Sequence, residues 1–566
     1  MRHPDALGRT AGGPERLARL DFTDAAGWTL SGLLQARAAE TPDAVAIEAV
    51  GGQMSFAQWH DRAAALAGVL AAHLGALDGR RLLVWMGNDD ADAFLIAAQA
   101  GLALGACIVP VDDRATAREV QTMAMLTRPA AVMVTARVLA NLGEAGRAEL
   151  ALPDAPADQD AITITALRAG RGDGASLAVR AQDSSGAAAM PALATSEGEC
   201  FVFFSSGSTG TPKGAAWDHG SLVQYAERAV NAIYALPRGG RPLTARDVLQ
   251  SPIPVYTAAA IMENPYPALL AGCPVVYETG RFDPAASSAR MTAHATTIYN
   301  AAPPHFAMLC DLPPASPPPD LELVVSGGSA FTVPLHGRIR ARWPEVSIAN
   351  WYGLMESGCG QTLHHGREME ADPGAIGRAV EPTELRVVGP DLIDVGTGEE
   401  GELWTRAPGQ ITGYLDNPEQ TTARLHDGWL RSGDRASVDA RGVVRLAGRI
   451  EERINRGGFK FYPVEIESVL EEDPAVREAS VVAVPHEILG EVPIAFVVAT
   501  EGSTIVPAQL RAHLRTRIAP NKVPAEILVR DELPRAAYGK VIRRALVREY
   551  LEDLERRPIA GATPNE

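Results

Sequence analysis

Between residues 201 and 214 an apolar run, Phe201-Val202-Phe203-Phe204, breaks into Ser205-Ser206-Gly207-Ser208-Thr209-Gly210-Thr211-Pro212-Lys213-Gly214. The first part has the character of a buried strand, and the second could cradle a polyphosphate. Glycines let the backbone approach a ligand closely and take positive φ. Successive N–H groups in such a loop form an anion nest. The Ser and Thr hydroxyls add donors, and Lys213 adds a mobile positive charge. A flexible Ser/Gly linker would need neither the strand before it nor Pro212 and Lys213. A Walker A loop requires Gly-Lys followed by Ser or Thr, whereas here Pro212 precedes Lys213 and Gly214 follows it.

Two later stretches repeat the theme of a strand that ends in glycine. Leu323-Val324-Val325 leads into Ser326-Gly327-Gly328-Ser329-Ala330, and Ser347-Ile348-Ala349 leads into Asn350-Trp351-Tyr352-Gly353-Leu354-Met355-Glu356. Ligands of open parallel sheets sit beyond the carboxyl ends of the strands. Both units therefore point at the same crevice as the Lys213 loop.

Further along stand Gly428-Trp429-Leu430-Arg431-Ser432-Gly433-Asp434, Gly448-Arg449-Ile450-Glu451-Glu452-Arg453 and Gly539-Lys540-Val541-Ile542-Arg543-Arg544. These motifs, in this order from about residue 30 to residue 548, closely resemble the signatures of the adenylate-forming superfamily of acyl-CoA synthetases, adenylation domains and luciferases. The resemblance implies that Ser206, Gly207, Ser208, Thr209, Gly210 and Lys213 hold the phosphates of ATP. By the same resemblance Gly327, Gly328, Ser329, Ala330, Asn350, Tyr352 and Gly353 frame the adenine, with Tyr352 stacked on it. Asp434 and Arg449 take the ribose, a carboxylate being able to accept from both hydroxyls of a cis-diol. Glu356, with Thr209, matches the magnesium site, and Lys540 matches the lysine of the adenylation step. Glu451 falls at the hinge position, where Asp or Lys is usual, and Gly457 and Gly458 match the lining of a pantetheine tunnel. Met355 stands where the family usually has Thr.

The resemblance implies ATP, Mg²⁺ and coenzyme A as cofactors, and a small carboxylic acid as partner. Asn455-Arg456-Gly457-Gly458-Phe459-Lys460 through Glu467 has the CoA-ligase form of its motif. An amino-acid substrate is disfavoured, because Pro254-Val255-Tyr256-Thr257 lacks the Asp that would meet an amino group. The alternative acceptor is the phosphopantetheine of a carrier protein. A non-catalytic nucleotide-binding homologue is a third reading, against which Lys213, Glu356, Asp434 and Lys540 stand together. The expected acyl pocket is Tyr256, Thr257, Met262, His305 and Ser326, which suits a hydrophobic acid; His305 could equally be a packed core histidine.

These residues need a scaffold, and the 566-residue chain is long enough for several domains. Ala44 to Val50 reads as a strand with a partner from Gln53, and Ser55 as the cap of a helix carrying Trp59, Ala63, Leu66, Leu70 and Leu74 at helical spacing. Alternating strands and helices predict a mostly parallel sheet. The fold expected is α/β: a large N-terminal domain of two β/α subdomains plus a β-barrel-like part (28–449), and a small mobile C-terminal α+β domain (450–550). Residues 1–27 read as a leader, 551–566 as a tail, and the Ala-, Asp-, Gly- and Ser-rich 152–198 as a surface connection. A net charge of −17 excludes a nucleic-acid surface. The five cysteines form no metal-ligand spacing and fit a reducing cytoplasm. The apolar stretch from Ala93 to Val111 is long enough for a membrane span, but Gln99, its glycines and Pro110 favour a buried helix running into a buried strand. Monomer and homodimer both remain open.

Overall fold

A computed structural model describes residues 28–158, 161–168, 171–180, 195, 197–205, 213–313, 317–536 and 539–556. The 1–27 leader and the end of the tail, 557–566, fall outside the described residues, as do Ser206, Gly207, Ser208, Thr209 and Gly210 of the expected phosphate loop.

Near the N-terminus, Val45–Ala49 and Gly52–Ser55 pair antiparallel. The Ser55 side chain accepts from the Gln58 N–H, and the Gln58 side chain returns to the Ser55 N–H at 2.9 Å. This reciprocal cap starts the helix Phe56–Leu74, which buries Trp59, Ala63, Leu66 and Leu70.

A seven-stranded sheet follows, whose parallel centre runs Ala131–Thr135, Arg81–Trp85, Cys107–Val111 and Glu199–Ser205. The 93–111 stretch lies inside it as the buried helix Ala91–Ala103 and the buried strand Cys107–Val111. Among the described residues no helix is long and apolar enough to cross a membrane. The 152–198 segment is not all surface connection. Ala161–Arg168 and Arg171–Arg180 form an antiparallel hairpin that extends the sheet beside Ala131–Thr135. Its signal is the β-branched run Ile162-Thr163-Ile164-Thr165, all four of them buried; small polar neighbours on both sides hide that run from a composition reading.

The second large sheet has nine strands and holds the crevice-forming edge. Leu249–Ser251, Ile298–Ala301, Leu323–Ser326 and Ser347–Leu354 run parallel, then Gly358–His365 turns back antiparallel. One continuous apolar cluster, including Trp59, Phe94, Phe201 and Tyr266, joins the first helices to both large sheets. A five-stranded antiparallel sheet, with Trp429–Val438 and Val444–Arg449 paired, completes the large domain. The smaller C-terminal domain is α+β, a second five-stranded sheet flanked by helices including Pro463–Leu470 and Arg543–Arg556.

Candidate active site

The parallel strands deliver their last residues in register, Ala301 beside Ser326 and Ser326 beside Asn350. Beyond those tips lies a cavity of about 360 Å³, walled by Gly328, Asn350, Tyr352, Asp434, Arg449 and Lys540 among others. The large domain supplies more than half of that wall, and the small domain supplies the rest, Lys540, Glu452, Glu467, Arg535 and Arg543 among it.

Asp434 and Arg449 stand directly opposite each other on paired strands. Each follows a glycine at positive φ, +73° for Gly433 and +138° for Gly448. A Cβ on Gly448 would lie 2.8 Å from the Tyr462 ring, so the strand can pass there only without a side chain. The Asp434 carboxylate receives the Tyr352 hydroxyl at 2.6 Å and the Arg449 Nε at 2.8 Å. It is only 4% exposed. Burial raises its pKa, against the Arg449 charge and the Tyr352 hydrogen bond.

Lys540 sits on a tight hairpin. Ile542 N donates to Pro534 O at 2.7 Å, Ala536 N to Lys540 O at 2.8 Å, and Arg535 Nη1 to Gly539 O at 2.6 Å. Arg543 anchors the far side by donating to Glu467 at 2.6 Å and to Glu452. Lys540 as a whole is exposed to solvent, yet the crevice crowds its ammonium. That desolvation, then Arg449, lowers its pKa, while Glu452 and Asp434 oppose the fall.

Lys213 and Glu356 meet through Tyr414, a residue that no sequence motif marks. The Lys213 ammonium lies 6.0 Å from the Tyr414 ring centroid and donates to Gln420 at 2.6 Å. The Tyr414 hydroxyl donates to Glu356 Oε1 at 2.6 Å. The Glu356 carboxylate is 7% exposed. It offers the hard oxygen donor that suits Mg²⁺ shared with substrate phosphates; its expected companion Thr209 falls outside the described residues.

Other expected residues lie elsewhere. Ser329, Ala330 and Gly353 line the cavity, while Gly327 is packed under the Trp351 indole. Glu451 occupies the exposed turn Ile450–Glu452 between the domains' strands. Gly457 and Gly458, at φ +60° and +89°, form a turn that does not line the cavity. None of the expected acyl-pocket residues lines it either. Tyr256 donates to Asp112 at 2.9 Å, Thr257 caps the helix Ala258–Glu263, and Met262 is buried in the core. His305 accepts from Ala302 N at 3.2 Å, packs edge-on to Phe282, and is held by burial to a pKa of about 4. Ser326 is buried, and its hydroxyl has no hydrogen-bond partner among the described residues.

Residues 34–415 match the family described as AMP-binding enzyme, and residues 465–540 match the AMP-binding enzyme C-terminal domain. The indoleacetate–CoA ligase of Aromatoleum aromaticum is 29% identical over 514 residues, covering 90% of this chain and 96% of that protein. The feruloyl-CoA synthase of an Amycolatopsis species is 31% identical over 353 residues, covering 62% of this chain and 70% of that protein. Among solved structures, ATP-bound MatB from Rhodopseudomonas palustris superposes with a TM-score of 0.76 at 26% identity, covering 92% of this chain and 99% of that one.

Proposed function

The chain belongs to the AMP-binding enzyme family and is a ligase of the adenylate-forming kind, and we propose that it joins a hydrophobic, aromatic carboxylic acid to coenzyme A through an acyl-adenylate. The observation that carries this reading is the meeting of Lys540 with Asp434, Arg449 and Tyr352 around one cavity. The aromatic acid is suggested by relatives named for indoleacetate and ferulate.

In the first step a carboxylate oxygen of the acid bonds to the α-phosphorus of ATP, the bond from that phosphorus to the bridging oxygen breaks, and pyrophosphate leaves. Asp434 accepts from the ribose hydroxyls, with Arg449 holding its geometry. The Tyr352 ring offers a face to the adenine. Lys540 brings a positive charge to the α-phosphate, where negative charge gathers in the transition state. Lys213 does the same toward the β- and γ-phosphates. Glu356 would hold a Mg²⁺ ion, which would supply further charge neutralisation to the phosphates.

In the second step a thiol sulfur bonds to the acyl carbon and AMP leaves. Lys540 occupies the crevice in this structure while Gly457-Gly458 lies off it, so the second step calls for rotation of the small domain about Glu451. The test is pyrophosphate release from ATP with a panel of aryl acids, followed by thioester formation with and without CoA. Release of ADP and orthophosphate would sink the adenylate. Thioester formation on a carrier protein but never on CoA would replace the acceptor.

A further inference from the structure

A short helix, Pro418–Arg424, brings to the site a cation that neither the sequence motifs nor the mechanism above uses. Asn417 caps it by accepting from Gln420 N, and it runs into the strand Leu425–His426, which pairs with Trp429–Val438. Gln420 and Arg424 are four residues apart and so share one helix face. Gln420 accepts from the Lys213 ammonium at 2.6 Å. Arg424 is half-buried and reaches over Gly433, where a Cβ would lie 2.8 Å from its Nη1. The Nη1 of Arg449 would be 3.8 Å from that same Cβ. The missing side chain at Gly433 thus leaves room for two guanidiniums next to Asp434.

The two guanidiniums are not equally occupied. Arg449 holds the Asp434 carboxylate at 2.8 Å and the Ser432 carbonyl at 3.1 Å. Arg424 has no carboxylate within ion-pair distance among the described residues. Burial lowers its pKa, but the Tyr414 hydroxyl, then the Glu356 charge and, further down, that of Glu451 more than offset the fall, so the group stays charged. Its charge is also felt by Asp434. Arg424 therefore stands within electrostatic reach of both Glu356, read above as the metal ligand on the phosphate side, and Asp434, read as the ribose acceptor. In a nucleotide the group that joins ribose to the outer phosphates is the α-phosphate. A planar guanidinium can meet two oxygens of a phosphate at once, which a lysine cannot.

Resting on the adenylate-forming reading above, we propose that Arg424 is a further catalytic residue, which binds the α-phosphate of the nucleotide and serves both half-reactions. Lys540 rides on the small domain and leaves the crevice when that domain rotates. Arg424 is tied to the large domain's antiparallel sheet and stays. In the first step it meets the charge that gathers on the α-phosphate as pyrophosphate departs. In the second, sulfur bonds to the acyl carbon, the bond from that carbon to the phosphate oxygen breaks, and the oxygen keeps the electron pair. The thiol proton passes to solvent, and Arg424 stabilises the AMP that leaves.

The test compares the binding of AMP with that of adenosine, which lacks only the phosphate, by calorimetry on the full chain. Arg424→Gln should weaken AMP about tenfold or more, the loss of a hydrogen bond to a charged group, and leave adenosine within about twofold. Arg424→Lys keeps the charge without the fork and should fall between the two; should Arg424→Gln fail to fold, this variant carries the comparison. In kinetics, Arg424→Gln should slow both pyrophosphate exchange and thioester formation from supplied acyl-AMP, whereas Lys540→Ala slows only the first. AMP and adenosine weakened alike would mean that Arg424 merely supports the fold around Tyr414, and would overturn the assignment. So would AMP binding that does not change, or a loss confined to ATP, which would move Arg424 to the outer phosphates. The binding comparison needs no turnover. Failure of every acid to release pyrophosphate with the unaltered enzyme would therefore overturn the adenylate reading while AMP against adenosine still decides Arg424.

Discussion

At the scale of single residues, the site is a set of charges whose partners are already present. Asp434 is buried and engaged by Tyr352 and Arg449, so its removal takes away a charged acceptor rather than a solvated acid. Asp434→Ala should raise the KM for ATP by roughly 10- to 100-fold, the range of about 1.5–3 kcal/mol for a hydrogen bond to a charged group. The KM for the acid should change little; steady-state kinetics with each substrate varied would reveal an unchanged ATP KM and remove Asp434 from the site. Two buried histidines set a pH limit of another kind. Burial holds His219 and His305 to pKa values of about 4, below their ordinary 6.5. The unfolded chain therefore takes up protons first. The stability each neutral ring contributes is complete above about pH 6.5 and lost as pH falls toward 4, on the order of 1–2 kcal/mol each by pH 5. Urea midpoints at pH 7 and pH 5 should separate more for the parent than for a His219→Gln/His305→Gln variant; equal separations would contradict this. The resemblance singles out Asp434 and Arg449, each with its preceding glycine, and the structure sets the two opposite each other on paired strands. The direction of Tyr256 was not legible from sequence, because it is fixed by Asp112, distant in the chain.

Secondary-structure elements were legible where local chemistry decides them. Ser55, Gln58 and the helical spacing of Trp59, Ala63, Leu66 and Leu70 specify the start and buried face of one helix without outside help. Ser55→Ala should lower stability by about 1 kcal/mol, measured by thermal denaturation; no loss would mean the cap is idle. The hairpin at 161–180 shows the opposite case. Its first strand is held by pairing to Ala131–Thr135, a partner that no window around residue 165 contains.

For the whole molecule, the decisive feature is that the small domain's lysine is in the crevice while its Gly457-Gly458 turn is not. Lys540→Ala should cripple pyrophosphate exchange and leave thioester formation from supplied acyl-AMP nearly intact. Gly458 has φ +89°, where a side chain strains the backbone, but the space its Cβ would enter is open to a radius of 4 Å, so the cost there is local strain and not a collision with the crevice. A substitution such as Gly458→Trp should therefore spare the first half-reaction and block the second. Glu451→Pro, by fixing φ, should also strike the second. Equal loss of both half-reactions in the Lys540 and Gly458 variants would mean that one arrangement serves both steps.

The doubly engaged carboxylate of Asp434 has a consequence for which nucleotides the crevice admits. Two ionised oxygens offer about four lone-pair positions, and Tyr352 and Arg449 occupy one on each oxygen. A ribose can thus dock on the remaining positions without dismantling the resting pair, whereas a 2′-deoxyribose leaves one of them empty in a buried place. Selection then acts on the sugar, and 2′-deoxy-ATP should be turned over markedly less well than ATP even though its base and phosphates are identical.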